Sequence, residues 1–96
     1  MLRTFRDDTT RDIFDGTNTK AYRRVPLDIH PVAHRKLDLL NGAAILGDLR
    51  VPPGNRLEDL KGDLKGFHSI RVNDQWRIVF RWVDNGADDV QIQDYH

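Results

Sequence analysis

The residues of this chain that could do chemistry on an anion are arginines at alternating positions and the polar groups at its end. Arg71, Arg77 and Arg81 occupy odd positions of one alternating run, and the last residues are Asp94, Tyr95 and His96. Guanidinium groups bind phosphates through parallel N–H donors, and a histidine can exchange a proton near neutral pH. These residue types are typical of phosphate chemistry. The alternative is an ordinary polar strand end.

The run from residue 60 to residue 82 reads LKGDLKGFHSIRVNDQWRIVFRW, in which even positions are mostly apolar and odd positions are mixed. Period-two alternation predicts two strands with one buried face. A three-residue loop, Asn73–Gln75, keeps even opposite even, so that Ile70 faces Ile78. It also sets Arg71 opposite Arg77. Because opposed like charges repel, this pair indicates a shared anion; the alternative is that both side chains splay into water.

The end of the chain continues the alternation. Asp84-Asn85-Gly86 is interpreted as a three-residue turn with Gly86 in a left-handed conformation. This turn pairs Val83 with Ala87 and Phe80 with Val90. The last strand then places its apolar even residues on the core face and Gln91, Gln93 and Tyr95 on the odd face, beside the arginines.

The elements that must position these groups begin with a short strand at 2–5 and a helix capped by Asp7 or Asp8 that ends at Gly16. A loop follows at 17–26. Asp28 is expected to cap a second helix with Pro31 in its first turn. The sequence predicts an α+β fold: a short N-terminal strand, two helices, and a three-stranded antiparallel meander, forming one sheet with helices on one face.

Length and composition narrow the class of protein. A chain of 96 residues is expected to form one domain, 1–96. The absence of cysteine fits a reducing cytoplasm, and the charged N-terminus does not resemble a signal peptide. No apolar run reaches the length that spans a bilayer. A net charge of zero gives no general attraction to nucleic acid.

Other motifs favour structural interpretations. His30 and His34 have the spacing of zinc ligands on a helix, but no third ligand accompanies them, so a solvated helix face is preferred. Gly62 and Gly66 lack the pattern of a phosphate-binding loop and are interpreted as turn residues. His68, on the core side, is expected to be a hydrogen-bonded structural histidine. Both tryptophans share that parity, which favours packing over base stacking.

The same run, the preceding LRVPPGNRLEDLKGD and the terminal DYH together resemble the HigB-type toxins of bacterial toxin–antitoxin pairs, in the RelE/ParE superfamily. The resemblance covers essentially the whole chain and is most specific from Arg56 to His96. It implies a RelE-like fold and ribosome-dependent cleavage of messenger RNA. It also implies neutralisation by a HigA-type helix-turn-helix antitoxin, through which alone operator DNA would be contacted.

The resemblance carries catalytic roles to five positions: Lys61, Arg77, Asp94, Tyr95 and His96. Lys61 and Arg77 would donate to the phosphate, Tyr95 would share their face, and His96 would be the acid or base, with Asp94 orienting the strand end. RNA contacts are expected from Arg56, Lys65, Arg71, Gln75 and Arg81. No metal and no cofactor are expected.

Two positions depart from the family pattern. Glu58 stands where some relatives have a histidine, so Glu58 or His96 would have to take over its part in proton transfer. His68 stands where relatives often have a tryptophan. Two other functions remain open from the residues: a ParE-like, non-catalytic poison of DNA gyrase, and a structural partner that only co-represses with the antitoxin.

Overall fold

A computed structural model describes residues 1–95 of the chain. Two α-helices precede four strands, with bounds α1 Asp8–Asp15, α2 His30–Gly42, β1 Glu58–Asp59, β2 Phe67–Arg71, β3 Trp76–Val83 and β4 Gly86–Asp94. Single 3₁₀ turns lie at Tyr22–Arg24, Leu27–Ile29, Leu46–Arg50, Pro53–Asn55 and Gly62–Leu64. The predicted α+β class is confirmed.

The strands form one antiparallel sheet in the order β1-β2-β3-β4. In β2 and β3, Ile70 lies opposite Ile78 and Arg71 opposite Arg77, so the predicted three-residue loop is confirmed. Strand β1, which pairs Glu58 with Ser69, was not predicted. A strand of two residues is too short to show an alternating pattern in the sequence. It is recognised only in the structure, from its pairing with β2.

The second turn differs from its prediction. Val83 pairs with Gly86, and Asp84 and Asn85 adopt positive φ angles of 50° and 58°, which is a two-residue hairpin turn. Gly86 therefore belongs to β4 and is not the left-handed residue. Glycine at this position leaves room for the Arg3 side chain, because a Cβ there would lie 2.8 Å from the Arg3 Nε.

A β-bulge restores the predicted faces. The register shifts between Val79 and Arg81, and Asp89 on β4 has a φ of 53°. Beyond this bulge Ile78 pairs with Ile92, on the core face as expected. Phe80 and Val90, expected as a pair, lie where the bulge interrupts the ladder, and both are fully buried.

The expected N-terminal strand forms only two isolated parallel bridges beside β4, Leu2 to Ala87 and Phe5 to Val90. Between them the Asp89 amide donates to the Thr4 hydroxyl at 2.8 Å. The bulge in β4 thus interrupts this ladder too, because its extra residue breaks the repeat of backbone donors and acceptors.

Helix α1 begins as expected: the Asp7 side chain accepts from the Thr10 amide at 2.9 Å, and the helix ends at Gly16 with a φ of 73°. Helix α2 has Pro31 in its first turn and ends at Gly42, but the expected cap at Asp28 is wrong. The residues Leu27–Ile29 form a 3₁₀ turn that leads directly into α2, so Asp28 precedes the cap position.

Residues 17–26, interpreted from sequence as a loop, contain a 3₁₀ turn and contribute to the core. Val25 is only 3% exposed. The Thr19 hydroxyl donates to the Asp12 carboxylate at 2.6 Å, which ties the segment to α1. Isolated side-chain bonds of this kind produce no hydrophobic period, so the pattern did not reveal them.

Both helices pack against the even face of the sheet, and both tryptophans contact this core. Its buried members from α2, β2 with the adjoining Val72, β3 and β4 include Ala33, Leu37, Leu40, Ile70, Val72, Ile78, Phe80, Val90 and Ile92. None of the helices within residues 1–95 has the length and apolar character needed to cross a membrane.

Candidate anion site on the sheet face

The guanidinium of Arg77 is buried on the odd face of the sheet and is held by neutral acceptors. Its Nε donates to the Ser69 hydroxyl at 2.8 Å, and its Nη2 donates to the Arg56 carbonyl at 2.7 Å. The Glu58 carboxylate comes no closer to it than 3.9 Å, beyond hydrogen-bonding distance. Only 8% of Arg77 is exposed.

Strand geometry explains these contacts. Ser69 lies opposite Val79 and is therefore the diagonal neighbour of Arg77 on the same face. A small residue there leaves room for the arginine side chain to lie across β2. Glu58 faces the same way because it pairs with Ser69.

The Arg56 carbonyl is positioned by a buried polar network. Asn55 is fully buried and donates to the carbonyl oxygens of Leu49 and Val51 at 3.1 and 3.3 Å. The ammonium of Lys36 donates to the Asn55 side-chain oxygen. Arg56 itself has a left-handed φ of 45°, which turns its carbonyl toward Arg77.

Burial lowers the pKa of Lys36 below its ordinary value, and the charges of Arg35 and Arg71 lower it further. Lys36, Arg35 and Arg71 therefore lie close enough for their charges to interact. Among the described residues, the nearest carboxylate to the buried Arg77, that of Glu58, is 3.9 Å away and compensates its charge only in part, so an anion bound nearby would compensate it further. This arrangement favours an anion over a cation as the ligand.

Arg71 and Arg77 are directly opposed, but their side chains go to different places. Arg71 forms an ion pair with Asp74, three residues along the loop. Arg77 turns across β2 to Ser69. The two arginines therefore do not both splay into water, because Arg77 is buried.

The end of β4 approaches the same site. The Tyr95 amide donates to the Gln75 carbonyl at 2.5 Å, and the Gln75 side chain donates to Asp94 at 3.2 Å. These bonds bring the Tyr95 ring to 6.0 Å from the Arg77 guanidinium carbon. The structure thus brings together Arg77, Tyr95, Asp94 and Gln75, while His96, the expected acid or base, lies outside the described residues.

Lys61 lies elsewhere. It is exposed at the start of the 3₁₀ turn Gly62–Leu64. Continuing the register of β1 and β2 sets Lys61 opposite Gly66, about 17 Å along the strands from Arg77 and not on the odd face. The structure therefore does not bring Lys61 next to Arg77.

The remaining residues expected to bind RNA divide between the two ends of the sheet. Arg56, Arg71 and Gln75 lie at the Arg77 end, whereas Lys65 and Arg81 lie at the other. Arg81 stands over the Phe67 ring at 5.7 Å. Sequence reasoning did not assign Ser69, Phe67 or Arg6 to the site, although the odd parity of Ser69 and Phe67 was a usable signal.

The histidines within the described chain have structural partners. His68 Nδ1 lies 2.7 Å from Asp59, as expected for a hydrogen-bonded histidine, and His34 lies 3.3 Å from Asp38. His30 Nε2 lies 2.9 Å from the Val25 carbonyl. Among residues 1–95 no group of three or more histidines and acidic residues could hold a metal ion.

Comparison with known families and proteins gives consistent matches. The family model described as the RelE-like toxin HigB of type II toxin–antitoxin systems matches residues 3–96. "Toxin HigB-1" of Vibrio cholerae is 44% identical over 91% of this chain and 90% of its own length. "Endoribonuclease HigB" of Proteus vulgaris is 28% identical over the whole of both chains.

Solved structures share the fold. A chain of the YoeB-YefM complex from Staphylococcus aureus has a TM-score of 0.61 at 17% identity, covering 100% of this chain and 98% of that one. The YafQ structure from Escherichia coli has a TM-score of 0.56 at 13% identity, covering 98% of this chain and 93% of that one. At such identities these likenesses concern the fold alone.

Proposed function

This chain belongs to the RelE-like HigB toxins of type II toxin–antitoxin systems, and on that premise we propose that it is a ribosome-dependent endoribonuclease that cleaves translated messenger RNA. The observation that carries the proposal is the buried Arg77 guanidinium, which donates its hydrogen bonds to neutral acceptors. The similarity to the Proteus vulgaris endoribonuclease supports it. Cleavage of messenger RNA would inhibit translation.

RNA can be cleaved through its own 2′-hydroxyl. That oxygen attacks the adjacent phosphorus, the bond from phosphorus to the 5′ oxygen breaks, and the products end in a cyclic phosphate and a 5′-hydroxyl. The step needs a base for the 2′-hydroxyl proton, an acid for the leaving oxygen and positive charge on the phosphorane. In this proposal Arg77 supplies the charge, in a site where low exposure strengthens the interaction.

The proton carriers are proposed at the chain end. Tyr95, whose ring lies 6.0 Å from the Arg77 guanidinium carbon, would orient the phosphate or donate a proton. His96 would act as acid or base, and Asp94, which Gln75 contacts, would orient the strand end. Glu58, with an oxygen 3.9 Å from Arg77, is the alternative base if His96 does not serve.

Lys61 remains a proposed hydrogen-bond donor to the phosphate. Because the register sets its backbone about 17 Å along the strands from that of Arg77, the two side chains would approach the phosphate from different sides. Arg56, Lys65, Arg71, Gln75 and Arg81 are proposed to hold the RNA on either side. The reaction is proposed to need no metal, since protein cations supply the charge.

As a toxin of a toxin–antitoxin system, the chain has an antitoxin as its partner, and a HigA-type helix-turn-helix protein is proposed for that role. The same fold occurs in a heterotetrameric YoeB-YefM toxin-antitoxin complex from Staphylococcus aureus, which agrees with an antitoxin as the partner. The ribosome and messenger RNA are the proposed targets, and operator DNA is reached only through the antitoxin. The proposed location is the cytoplasm, without membrane association.

Primer extension on messenger RNA after brief expression tests the proposal. We expect breaks phased with codons that disappear when translation initiation is blocked. Breaks that persist without initiation would contradict ribosome dependence. Intact transcripts together with DNA-damage signals would instead support a ParE-like poison of DNA gyrase.

A further inference from the structure

Two arginines share one aromatic ring on the odd face of the sheet. The guanidinium carbons of Arg6 and Arg81 lie 5.9 and 5.7 Å from the centroid of Phe67. The three residues come from the N-terminal segment, β2 and β3, and Phe67 lies directly opposite Arg81. Phe67 is not among the side chains packed against the core, so burial of a core residue does not account for its position.

These arginines differ from others in how their charge is compensated. Arg3 and Arg11 each lie 2.9 Å from an aspartate, and Arg71 pairs closely with Asp74. The only carboxylate within 4 Å of Arg81 in the described chain, that of Asp89, is at 3.9 Å, and Arg6 forms no ion pair with any residue from 1 to 95. A ring in place of a carboxylate orients a guanidinium without neutralising it.

The same arrangement occurs at Arg77, which is held by neutral acceptors with the Tyr95 ring at 6.0 Å. Arg77 and Arg81 are four residues apart on β3, which corresponds to about 13 Å along the strand. One strand of duplex DNA advances about 3.4 Å per nucleotide, and an extended single strand advances further, so the two sites are separated by at most about four nucleotides. One extended RNA strand could therefore contact both.

We propose that Arg6, Phe67 and Arg81 form a second subsite, which binds the phosphates of single-stranded RNA a few nucleotides away from the phosphate held at Arg77. The inference rests on the proposed function, since it assumes that RNA occupies this face. Phe67 keeps the two cations in position before RNA arrives, which lowers the ordering cost of binding. Arg6 is the new member, reached only because the N-terminal segment lies along β4.

Binding of a single-stranded oligoribonucleotide of twelve residues tests the subsite. The affinity of the purified full chain is measured by fluorescence anisotropy over a series of salt concentrations. Each lost phosphate contact reduces the magnitude of the negative slope of log K against log salt by about 0.7 for single strands. We therefore expect the double variant Arg6→Gln/Arg81→Gln to reduce the magnitude of that slope by about 1.4.

Two further variants separate the subsite from general charge. The control Arg23→Gln/Arg24→Gln removes the same charge from the exposed 3₁₀ turn Tyr22–Arg24, in the segment tied to α1, and should leave the slope unchanged. Phe67→Leu keeps both cations but removes their ring, and should weaken binding several-fold. Circular dichroism and melting temperature show that each variant is folded.

The outcomes distinguish this inference from the proposed function. Equal slopes for wild type and the Arg6→Gln/Arg81→Gln variant, or no RNA binding by wild type, overturn the subsite. If that variant loses antitoxin binding while RNA binding is unchanged, the patch is a protein-binding surface and the subsite is overturned. If the wild-type chain binds RNA through the subsite but produces no codon-phased breaks, the proposed function is contradicted and the subsite is not.

Discussion

Arg77 Nη2 donates a hydrogen bond of 2.7 Å to the carbonyl oxygen of Arg56, a residue 21 positions earlier with a left-handed backbone. This bond joins β3 to the segment that precedes β1. It makes Arg77 a structural residue as well as the proposed phosphate donor. Tests at this position must therefore separate folding from chemistry.

Arg77→Ala should lower the free energy of unfolding by about 2–4 kcal/mol, because the Ser69 hydroxyl and the Arg56 carbonyl lose their donor inside the protein. Urea denaturation measures this loss. An unfolding free energy equal to that of wild type would show that these two acceptors find water instead.

Arg77→Lys keeps the charge but loses the planar fork of donors. We expect it to be folded at 25 °C and to cleave messenger RNA about a hundred- to a thousandfold more slowly in a translating extract, the loss typical of one removed transition-state donor. A wild-type cleavage rate in this variant would remove Arg77 from the proposed site.

Replacement of Arg56 tests its backbone strain. Glycine adopts a φ of 45° without steric cost, whereas alanine does not. Arg56→Gly should therefore be more stable than Arg56→Ala by about 1 kcal/mol, with the carbonyl still accepting from Arg77. The comparison of the two variants by thermal denaturation cancels the loss of the side chain. The reverse order would contradict a strained Arg56.

Lys36 predicts a pH dependence of stability. Its pKa is lowered by burial and then by Arg35 and Arg71, so the unfolded chain binds the proton more tightly than the folded chain. Stability therefore rises as the pH increases from the lowered pKa toward the ordinary value of 10.5. We expect the difference in unfolding free energy between wild type and Lys36→Met to grow in favour of wild type over this range. A constant difference would show that Lys36 titrates normally.

Tyr95→Phe keeps the ring beside Arg77 and removes only the hydroxyl. Stability should change by less than about 0.5 kcal/mol, since Tyr95 is not in the core. If the hydroxyl transfers a proton, cleavage should slow by at least about a hundredfold. Unchanged cleavage would restrict Tyr95 to positioning the Arg77 side chain.

His96→Gln tests the proposed acid or base because it removes the imidazole and leaves the length of the chain unchanged. We expect an unchanged melting temperature, retained antitoxin binding and cleavage slower by at least about a hundredfold. Near wild-type cleavage across pH 5.5 to 8 would pass the role to Tyr95 or Glu58. Glu58→Gln is the variant that would then distinguish those two.

The sequence by itself determined the faces of the strands, the first hairpin register, a helix cap at Asp7 or Asp8 and the α+β class. Each follows from local covalent geometry: strand side chains alternate, and a helix start needs an acceptor for its free amides. The family resemblance was also readable, because its motifs are contiguous. All of these features involve residues close together in the chain.

Only the tertiary structure decided which odd-face residues are buried and what they touch. The sequence predicted a polar face but not that Arg77 would be buried against Ser69 and Arg56. The sequence predicted a three-residue turn that includes Gly86. The structure instead has a two-residue turn at Asp84 and Asn85, followed by a bulge in β4. The sequence could not bring Arg6 to Phe67 or set Lys61 apart from Arg77, because those distances depend on contacts between segments far apart in the chain.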